Sequence, residues 1–332
     1  MRKLVTIGIP VYKRLQYLPN VLNVVATQDY PDIELVVSDN GMNGAAVSEI
    51  VKKHYSRPFR FRQNLSTVSI SSHFNQLVNG ASGEYFLLLA DDDEISSNYV
   101  SELVAALERN PRVLVALSKQ EIMDESGVII RKSREKLPDT LPGPKFIEAA
   151  WGTHEYKFEC FATFLARTEA VKACAGYPDF CKGHGNDDAL LLKLCLNHGV
   201  VFSDRSTFRF RSYESSHGLA SSILDLSQAY REFFQFLDSD PIIQNFRSMR
   251  SAEWKYLKKI FVQMIWGTYL ERWEGMYRKR LTRLQWSKAA FAMPFIPAYY
   301  KKVAITFFEL FLLDRLAPLK RLSRGVMKCI ER

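Results

Sequence analysis

The sequence has few cysteines and none in a metal-binding pair. Five occur among 332 residues: Cys160, Cys174, Cys181, Cys195 and Cys329. Because the number is odd and no CxxC spacing is present, we expect neither a disulfide framework nor a zinc site. Free thiols fit the reducing interior of a cell, which predicts a cytoplasmic location.

Long apolar runs are also missing. No stretch reaches the roughly 20 apolar residues of a membrane span, and the longest candidate, Ala289–Tyr300, is interrupted by Pro294 and Pro297. The apolar residues after Lys3 run directly into Pro10 and are too few for a signal peptide. We therefore expect a protein that is at most peripheral on the inner face of the cell membrane.

A glycine-rich phosphate loop is absent near the first predicted strand. A dinucleotide site needs GxGxxG there, whereas the chain reads Gly8-Ile9-Pro10-Val11-Tyr12. This disfavours a Rossmann dehydrogenase. The same absence disfavours a nucleotidyl- or sugar-phosphate transferase. That class remains an alternative, because such an enzyme would also have a sheet of this kind and an acidic metal site.

Acidic residues are scarce in the last quarter of the chain. From Arg247 onward there are 19 Lys and Arg against 6 Asp and Glu. This excess of positive charge favours binding of the segment to an anionic surface, either lipid or nucleic acid. A nucleic-acid-binding protein is thus the non-enzyme alternative, although no recognition motif supports it. Within Ser287–Arg324, basic residues alternate with large apolar ones, which favours helices lying on anionic lipid.

Strand-like and helix-like segments alternate through the first part of the chain. The predicted strands are Leu4–Ile9, Ile33–Val37, Phe59–Arg62 and Glu84–Ala90, and the predicted helices are Leu15–Thr27, Ala45–His54 and Ile70–Ala81. This alternation predicts an α/β fold whose parallel sheet has helices on both faces. Ligands of such sheets bind beyond the carboxyl ends of the strands. We therefore expect the polar loops Pro10–Arg14, Ser38–Gly41 and Asp91–Asp93 to meet at one edge.

The triplet Asp91-Asp92-Asp93 follows the most apolar predicted strand. Three adjacent carboxylates repel each other unless a cation compensates them, and Mg²⁺ is usually held by one or two carboxylates together with substrate phosphates. By itself the triplet fits a metal site or a solvated acidic turn equally well.

A second acidic group opens the predicted helix Asp187–His198. Glycines at 183 and 185 lead into Asn186, Asp187 and Asp188. Asn186 or Asp187 could simply cap the helix. A carboxylate held there is also well placed as a general base, and the helix dipole would lower its pKa.

In combination, these segments resemble the family-2 glycosyltransferases of the GT-A fold. The resemblance covers roughly residues 1–215. It rests on TIGIPVYKR, LVVSDNG, NLSTVSISSHFNQLVNGASGEYFLLLADDDEIS and GNDDALLLKLCLNHG, in that order. It implies a Rossmann-type mixed sheet flanked by helices, here followed by a helical C-terminal extension.

The resemblance also implies residue roles. The nucleotide sugar would be held by Pro10, Val11, Tyr12, Arg14, Asp39, Asp91 and Asp92. Asp93, with Asp91, would bind Mg²⁺ or Mn²⁺. The family's base lies in a Glu-Asp pair that reads Asn186-Asp187 here, so Asp187 matches the base and Asp188 competes with it.

One family motif is altered in this chain. The family often shows Tyr-Arg-x-His after the last strand, but the chain reads Phe210-Arg211-Ser212-Tyr213. His217, four residues later, is a candidate further metal ligand, although a lone histidine is more often structural.

These observations predict an inverting glycosyltransferase with a catalytic domain over 1–218 and a helical, basic, membrane-associating region over 219–332. We expect a nucleotide-sugar donor, with UDP as the default nucleotide. The acceptor would be a hydroxyl of a glycan or lipid-linked molecule in surface polysaccharide synthesis. It should contact Lys132–Lys145 and the residues near Tyr156–Phe161.

Overall fold

A computed structural model of the protein describes residues 3–158, 160–213 and 221–278. The chain divides into two compact units, Met1–Gly267 and Thr268–Arg332. Among the described residues, no helix is long and apolar enough to cross a membrane. The expected lipid-binding segment Ser287–Arg324 and the candidate ligand His217 lie outside the described residues.

The described strands belong to one sheet. They are β1 (Val5–Val11), β2 (Ile33–Asp39), β3 (Phe59–Gln63), β4 (Tyr85–Leu88), β5 (Glu94–Ile95), β6 (Val115–Met123), β7 (Ile129–Lys132), β8 (Thr140–Leu141), β9 (Leu165–Arg167) and β10 (Val200–Arg211).

The described helices surround this sheet and continue after it. They are α1 (Leu18–Ala26), α2 (Ala46–His54), α3 (Ile70–Gly80), α4 (Tyr99–Arg109), α5 (Gly143–Ile147), α6 (Thr168–Ala173), α7 (Asn186–Cys195), α8 (Ile223–Ser239), α9 (Pro241–Met249) and α10 (Ser251–Arg278). A π-helical turn, Glu148–Gly152, directly follows α5, and a short 3₁₀ turn, Cys181–Gly183, precedes α7.

The N-terminal half of the sheet is parallel. Strands β3, β2, β1 and β4 lie side by side in that order. Val5 of β1 pairs with Ile33 on one side and with Tyr85 on the other. All seven residues of β1 are buried, as expected for a strand covered on both faces. The prediction of a parallel α/β arrangement is confirmed for this half.

The other half makes the sheet mixed, as the family resemblance implied. Its order continues from β4 through β9, β6 and β10 to β5. Strand β9 is antiparallel to both β4 and β6, β10 is parallel to β6, and β5 is antiparallel to β10. Between residues 160 and 167 the strand comprises only Leu165–Arg167, and before it the Ala162 N–H donates locally to Cys160 Sγ (3.5 Å).

Apolar residues cover both faces of β1. Ile7 and Ile9 pack with Leu22 of α1 in one buried cluster. On the opposite face Gly8 lies against α3, where an added Cβ would sit 3.3 Å from the Leu77 Cβ. Helices therefore cover both sides, and the polar side chains after each strand are confined to the sheet's edge.

The extension that follows the sheet is helical in its described part. Within the first compact unit, Phe233 of α8 lies 5.7 Å from Phe180 between ring centroids, and Phe261 of α10 lies 5.5 Å from Trp151. These helices therefore bury aromatic side chains against the sheet-bearing part of the chain. The expected domain boundary at 218/219 stays a prediction.

Candidate active site

Loops after three parallel strands meet at the carboxyl edge of the sheet. The Tyr12 N–H, after β1, donates to Asp91 Oδ2 beyond β4 (3.3 Å). The Asn40 N–H, after β2, donates to the Val11 carbonyl (2.8 Å). Asn43 also donates from its side chain to the Tyr12 carbonyl. Residues far apart in sequence thus share one small region, because parallel strands bring their carboxyl ends together.

Asp92 is held by two side chains from distant elements. Its Oδ2 lies 3.2 Å from Arg14 Nη1 and accepts a hydrogen bond from the Tyr213 hydroxyl at 2.6 Å. The Arg14 guanidinium also stands over the Tyr213 ring, 5.3 Å from its centroid. Asp92 is therefore held in place by the Tyr213 hydroxyl, and Arg14 is its counter-ion.

Asp93 is anchored to the end of β10. Its Oδ1 accepts a hydrogen bond from the Arg211 N–H (2.9 Å). The Arg211 guanidinium donates to the Asp92 carbonyl (2.9 Å) and pairs with Glu94 (2.9 Å). Strand β5, pairing with β10, holds the turn of the triplet in this position.

The triplet carries more negative charge than its surroundings compensate. All three side chains are buried, and Asp93 is 1% exposed. Burial, followed by the charge of Asp92, raises the pKa of Asp91 to about 7, against the opposing effects of Arg14 and the Tyr12 N–H. Burial, followed by the charge of Asp92, holds the pKa of Asp93 well above its ordinary value. A proton or a cation is therefore favoured at this position.

The donor set fits a hard divalent cation that also binds a substrate. Asp91 and Asp93 each use one carboxylate oxygen in the hydrogen bonds above, and no other described residue donates to the second. Among the described residues, no group of three or more His, Cys, Asp or Glu side chains forms a complete metal site. Two carboxylates are enough for Mg²⁺ or Mn²⁺ when phosphates and water supply the remaining ligands.

Both carboxylate oxygens of Asp39 accept hydrogen bonds within the protein. Oδ1 accepts from the Gly41 N–H and the Asn43 side-chain amide (both 2.8 Å), and Oδ2 accepts from the Asn43 N–H (2.9 Å) and Gln63 (3.1 Å). Asp39 is 0% exposed. In this conformation the carboxylate shapes the 41–43 loop, and contact with a ribose or base requires one of these donors to be displaced.

The other predicted nucleotide contacts differ in exposure. Pro10 and Val11 are buried in β1 and offer only backbone to a ligand. The Tyr12 side chain is 45% exposed and is available for stacking on a base. Arg14 lies next to it, beside Asp92.

The second acidic group sits at the N-terminus of α7. Gly185 precedes the helix with a φ of 77°, and no side chain caps it, so neither Asn186 nor Asp187 is the N-cap. Asn186 instead donates to Ser71 Oγ (3.0 Å). Asp187 Oδ1 accepts from the Asp188 N–H (3.0 Å).

Asp188 also reaches the π-helical turn. The Trp151 indole N–H donates to Asp188 Oδ1 at 3.2 Å. Burial, followed by the charge of Asp187, raises the pKa of Asp188 to about 8, against the opposing effect of Trp151. Burial also raises the pKa of Asp187. The expected lowering by the helix dipole was wrong in its net direction, since desolvation outweighs it.

Cys160 lies near both acidic groups. Burial raises the pKa of its thiol well above the ordinary value, and the charges of Asp187, Asp93 and Asp188 raise it further. The thiol therefore lies within electrostatic range of both groups. The Asp91–Asp93 turn and the start of α7 therefore both lie near this thiol, although about 95 residues separate them along the chain.

Sequence reasoning missed two positioning residues. Tyr213 occupies the place of the family's histidine, so the motif register could have identified it as a contact of the triplet. Trp151 gave no local signal, because its contact with Asp188 arises only when the π-helical turn packs against α7.

Comparisons with known proteins identify the family and support the fold. The model of the family described as Glycosyl transferase family 2 matches residues 6–174, just over half of the chain. A glycosyltransferase of Rickettsia conorii is 28% identical over 39% of this chain and 21% of its own length. Abequosyltransferase RfbV of Salmonella typhimurium is 25% identical over 35% of this chain and 36% of its own length. The chain thus matches only a part of these relatives.

Solved structures share the fold at low sequence identity. TarS residues 1–349 of S. aureus, in complex with UDP-GlcNAc, has a TM-score of 0.57 at 17% identity and covers 79% of this chain and 81% of that one. The mannosyltransferase PcManGT of Pyrobaculum calidifontis, in complex with GDP-Man and Mn²⁺, has a TM-score of 0.56 at 14% identity, covering 93% and 81%. With the family match and the GT-A-type sheet, this places the protein among the family-2 glycosyltransferases.

Proposed function

We propose that the protein is an inverting, metal-dependent glycosyltransferase that moves a sugar from a nucleotide-diphosphate sugar to an acceptor hydroxyl. The observation that carries this proposal is that two acidic groups, Asp91–Asp93 and Asp187-Asp188, both lie near the Cys160 thiol. One acidic group suits a donor diphosphate with its cation, and the other suits proton removal. Family membership supports the reaction class.

The donor binds beside the loops after β1, β2 and β4. Tyr12 stacks on the base, and the backbone of Pro10 and Val11 lines the pocket floor. Asp39 fixes the neighbouring loop. When the donor binds, Asp39 loses one of its present hydrogen bonds and accepts one from the ribose or base instead. UDP is proposed as the nucleotide, and the TarS complex with UDP-GlcNAc supports a uridine donor on this fold.

Asp93 and Asp91 would hold Mg²⁺ or Mn²⁺ through their second carboxylate oxygens, with His217 as a proposed further ligand. When bound, the cation supplies positive charge that stabilises the leaving nucleoside diphosphate. Asp92 and Arg14 keep the turn in place. The Mn²⁺ in the PcManGT complex supports a cation of this kind.

Asp187 is the proposed base. It matches the family's base position. Burial raises the pKa of Asp187, and burial with the charge of Asp187 raises the pKa of Asp188 to about 8, so the two carboxylates titrate as a pair. In its ionised form Asp187 accepts the acceptor's proton during attack. A single displacement inverts the anomeric centre. Product NMR showing a retained configuration would contradict the mechanism.

The acceptor is proposed to be a glycan or lipid-linked molecule of surface polysaccharide synthesis. The basic region over 219–332 would hold the enzyme on anionic lipid at the inner face of the membrane. A flotation assay with anionic liposomes, using the full chain and a chain ending at Gly267, tests this. Equal flotation of both would contradict it.

Donor use is tested by thermal stabilisation with UDP, GDP and TDP, with and without Mn²⁺, followed by turnover of matching nucleotide sugars. We expect a metal-dependent shift with one nucleotide, reduced in Asp93→Asn and unchanged in the exposed control Asp204→Asn. No metal-dependent shift with any nucleotide would overturn the proposal. The alternatives of a nucleotidyltransferase or a nucleic-acid-binding protein are not favoured by the family match.

A further inference from the structure

The side-chain amide of Gln120 binds the backbone of Cys160 through both of its polar atoms. Gln120 Nε2 donates to the Cys160 carbonyl, and Gln120 Oε1 accepts from the Cys160 N–H (3.3 Å). Gln120 is 3% exposed, so the amide is shielded from water. Two directional hydrogen bonds to one planar amide restrain both the position and the orientation of the Cys160 backbone.

These hydrogen bonds lie beyond the end of a strand pairing. Strands β6 and β9 pair at two positions, and the pairing ends at Ala116 and Leu165. Residues 160–163, here called the linking segment, precede β9 and belong to no strand. Backbone groups next to the core need partners. Gln120, four residues beyond Ala116 on β6, supplies two of them through its side chain.

The linking segment contacts elements that carry each acidic group. Thr163 Oγ1 donates to the Leu88 carbonyl of β4 (3.2 Å), three residues before the triplet. The Phe161 ring centroid lies 4.9 Å from that of Trp151. The Trp151 indole N–H donates to Asp188. A displacement of the linking segment would therefore act on both acidic groups.

The linking segment also lies beside the space in which the proposed transfer takes place. The Cys160 thiol is within electrostatic range of Asp93 and of Asp187, and Cys160 is partly exposed. During a direct displacement the reacting carbon lies between the leaving diphosphate and the acceptor hydroxyl. One of these partners is assigned to Asp93 and the other to Asp187. A misplacement of about 1 Å in such an arrangement can cost about 10²-fold in rate.

We propose that Gln120 is a positioning residue of the transfer reaction, which fixes the Cys160 backbone and so holds the linking segment as one wall of the space where the sugar is transferred. The inference rests on the proposed function, because it uses the roles given there to the two acidic groups. Gln120 acts through the linking segment and contacts neither substrate.

Gln120→Met tests this role, because methionine keeps the length of the side chain and removes both hydrogen bonds. The binding probe is UDP, GDP or TDP, whichever stabilises the parent most with Mn²⁺, and its affinity and stoichiometry are measured by calorimetry. Both should equal those of the parent. The turnover probe is release of that nucleoside diphosphate from the matching nucleotide sugar. We expect kcat per binding site to fall about ten- to a hundredfold.

Ser133→Ala is the matched control. Ser133 Oγ accepts from the Gln120 N–H (2.8 Å), and Ser133 is 8% exposed. This variant therefore removes a buried hydrogen bond of the same residue and keeps the two bonds to Cys160. Its turnover per binding site should equal that of the parent.

Thr163→Val is a second variant that acts on the linking segment. It removes the hydrogen bond to the Leu88 carbonyl and nearly keeps the shape of the side chain. We expect kcat per binding site to fall, as in Gln120→Met. This variant decides the question if Gln120→Met does not fold, and unchanged turnover would then overturn the proposal.

Three results with Gln120→Met overturn the proposal. They are turnover per binding site equal to the parent's, a loss no larger than that of Ser133→Ala, and a loss explained entirely by weaker nucleotide binding. The parent separates these failures from failure of the proposed function. A parent that releases no nucleoside diphosphate from any nucleotide sugar contradicts the proposed function and removes this inference with it.

Discussion

The hydroxyl of Tyr213 donates a 2.6 Å hydrogen bond to Asp92, the middle residue of the acidic triplet. This contact joins the residue after β10 to the turn after β4, across 121 positions of sequence. The same carboxylate lies beside Arg14. The aromatic residue in the place of the family's histidine thus acts on the triplet through Asp92.

Tyr213→Phe removes this hydrogen bond and keeps the ring against Arg14. We expect transfer to fall about tenfold, chiefly through a higher KM for the donor, because a bond to a charged group contributes roughly 1.5–3 kcal/mol. Steady-state kinetics measures the split between KM and kcat. Tyr17→Phe is the control. The Tyr17 ring lies 6.0 Å from that of Tyr213, but its hydroxyl, among the described residues, donates to the exposed Glu125. Equal effects of the two variants would contradict the positioning role.

Asp187→Asn should remove the base and leave donor binding intact. General-base catalysis contributes typically about 10²–10⁴-fold, so we expect a loss of kcat in that range with unchanged stabilisation by nucleotide. Asp188→Asn should have a smaller effect, since this variant keeps the carboxylate of Asp187, which matches the family's base position. A larger loss in Asp188→Asn would show that the base is the second residue.

Trp151→Phe removes the indole donor to Asp188 and keeps an aromatic ring in the core. The indole opposes the rise in the pKa of Asp188, so its loss raises that pKa further. The acidic limb of the kcat/KM profile reports the titration of the coupled Asp187–Asp188 pair and should then move to higher pH. A uniform loss of activity with an unmoved limb would mean that Trp151 contributes packing alone.

His73 makes stability depend on pH. It is 4% exposed and its Nε2 lies 2.9 Å from Ser38 Oγ. Burial lowers its pKa from 6.5 to about 4. The neutral form is therefore favoured in the folded state, and the contribution is present above pH 6.5 and lost as pH falls toward 4.

Between pH 7 and pH 5 this histidine should cost the parent about 2 kcal/mol of unfolding free energy relative to His73→Gln. Urea unfolding of both proteins at the two pH values measures the difference. A constant difference between them would mean that another group causes the pH dependence. The position matters because Ser38 adjoins Asp39, whose loop faces the proposed donor.

The local elements of the N-terminal half could be predicted because their signals are local. Alternating apolar runs and helical spacings defined β1, α1, β2 and α3 to within three residues. The edge of the sheet followed from the parallel topology, since strand ends then coincide. Partners of the acidic side chains could not be predicted, because Tyr213, Arg211 and Trp151 reach them only after distant strands and helices pack.

The sequence by itself determined the parallel α/β half, the acidic triplet at a strand end and the family. These features depend on apolar runs, turn residues and the order of motifs, which can be recognised in the sequence directly. Tertiary structure alone decided the chemistry of those residues. It placed hydrogen-bond donors around the Asp39 carboxylate and brought Tyr213 to Asp92 and Trp151 to Asp188. Burial also raised the pKa of the carboxyl groups in both acidic groups. Burial and hydrogen bonding depend on what lies nearby in space, and no spacing along the chain specifies that.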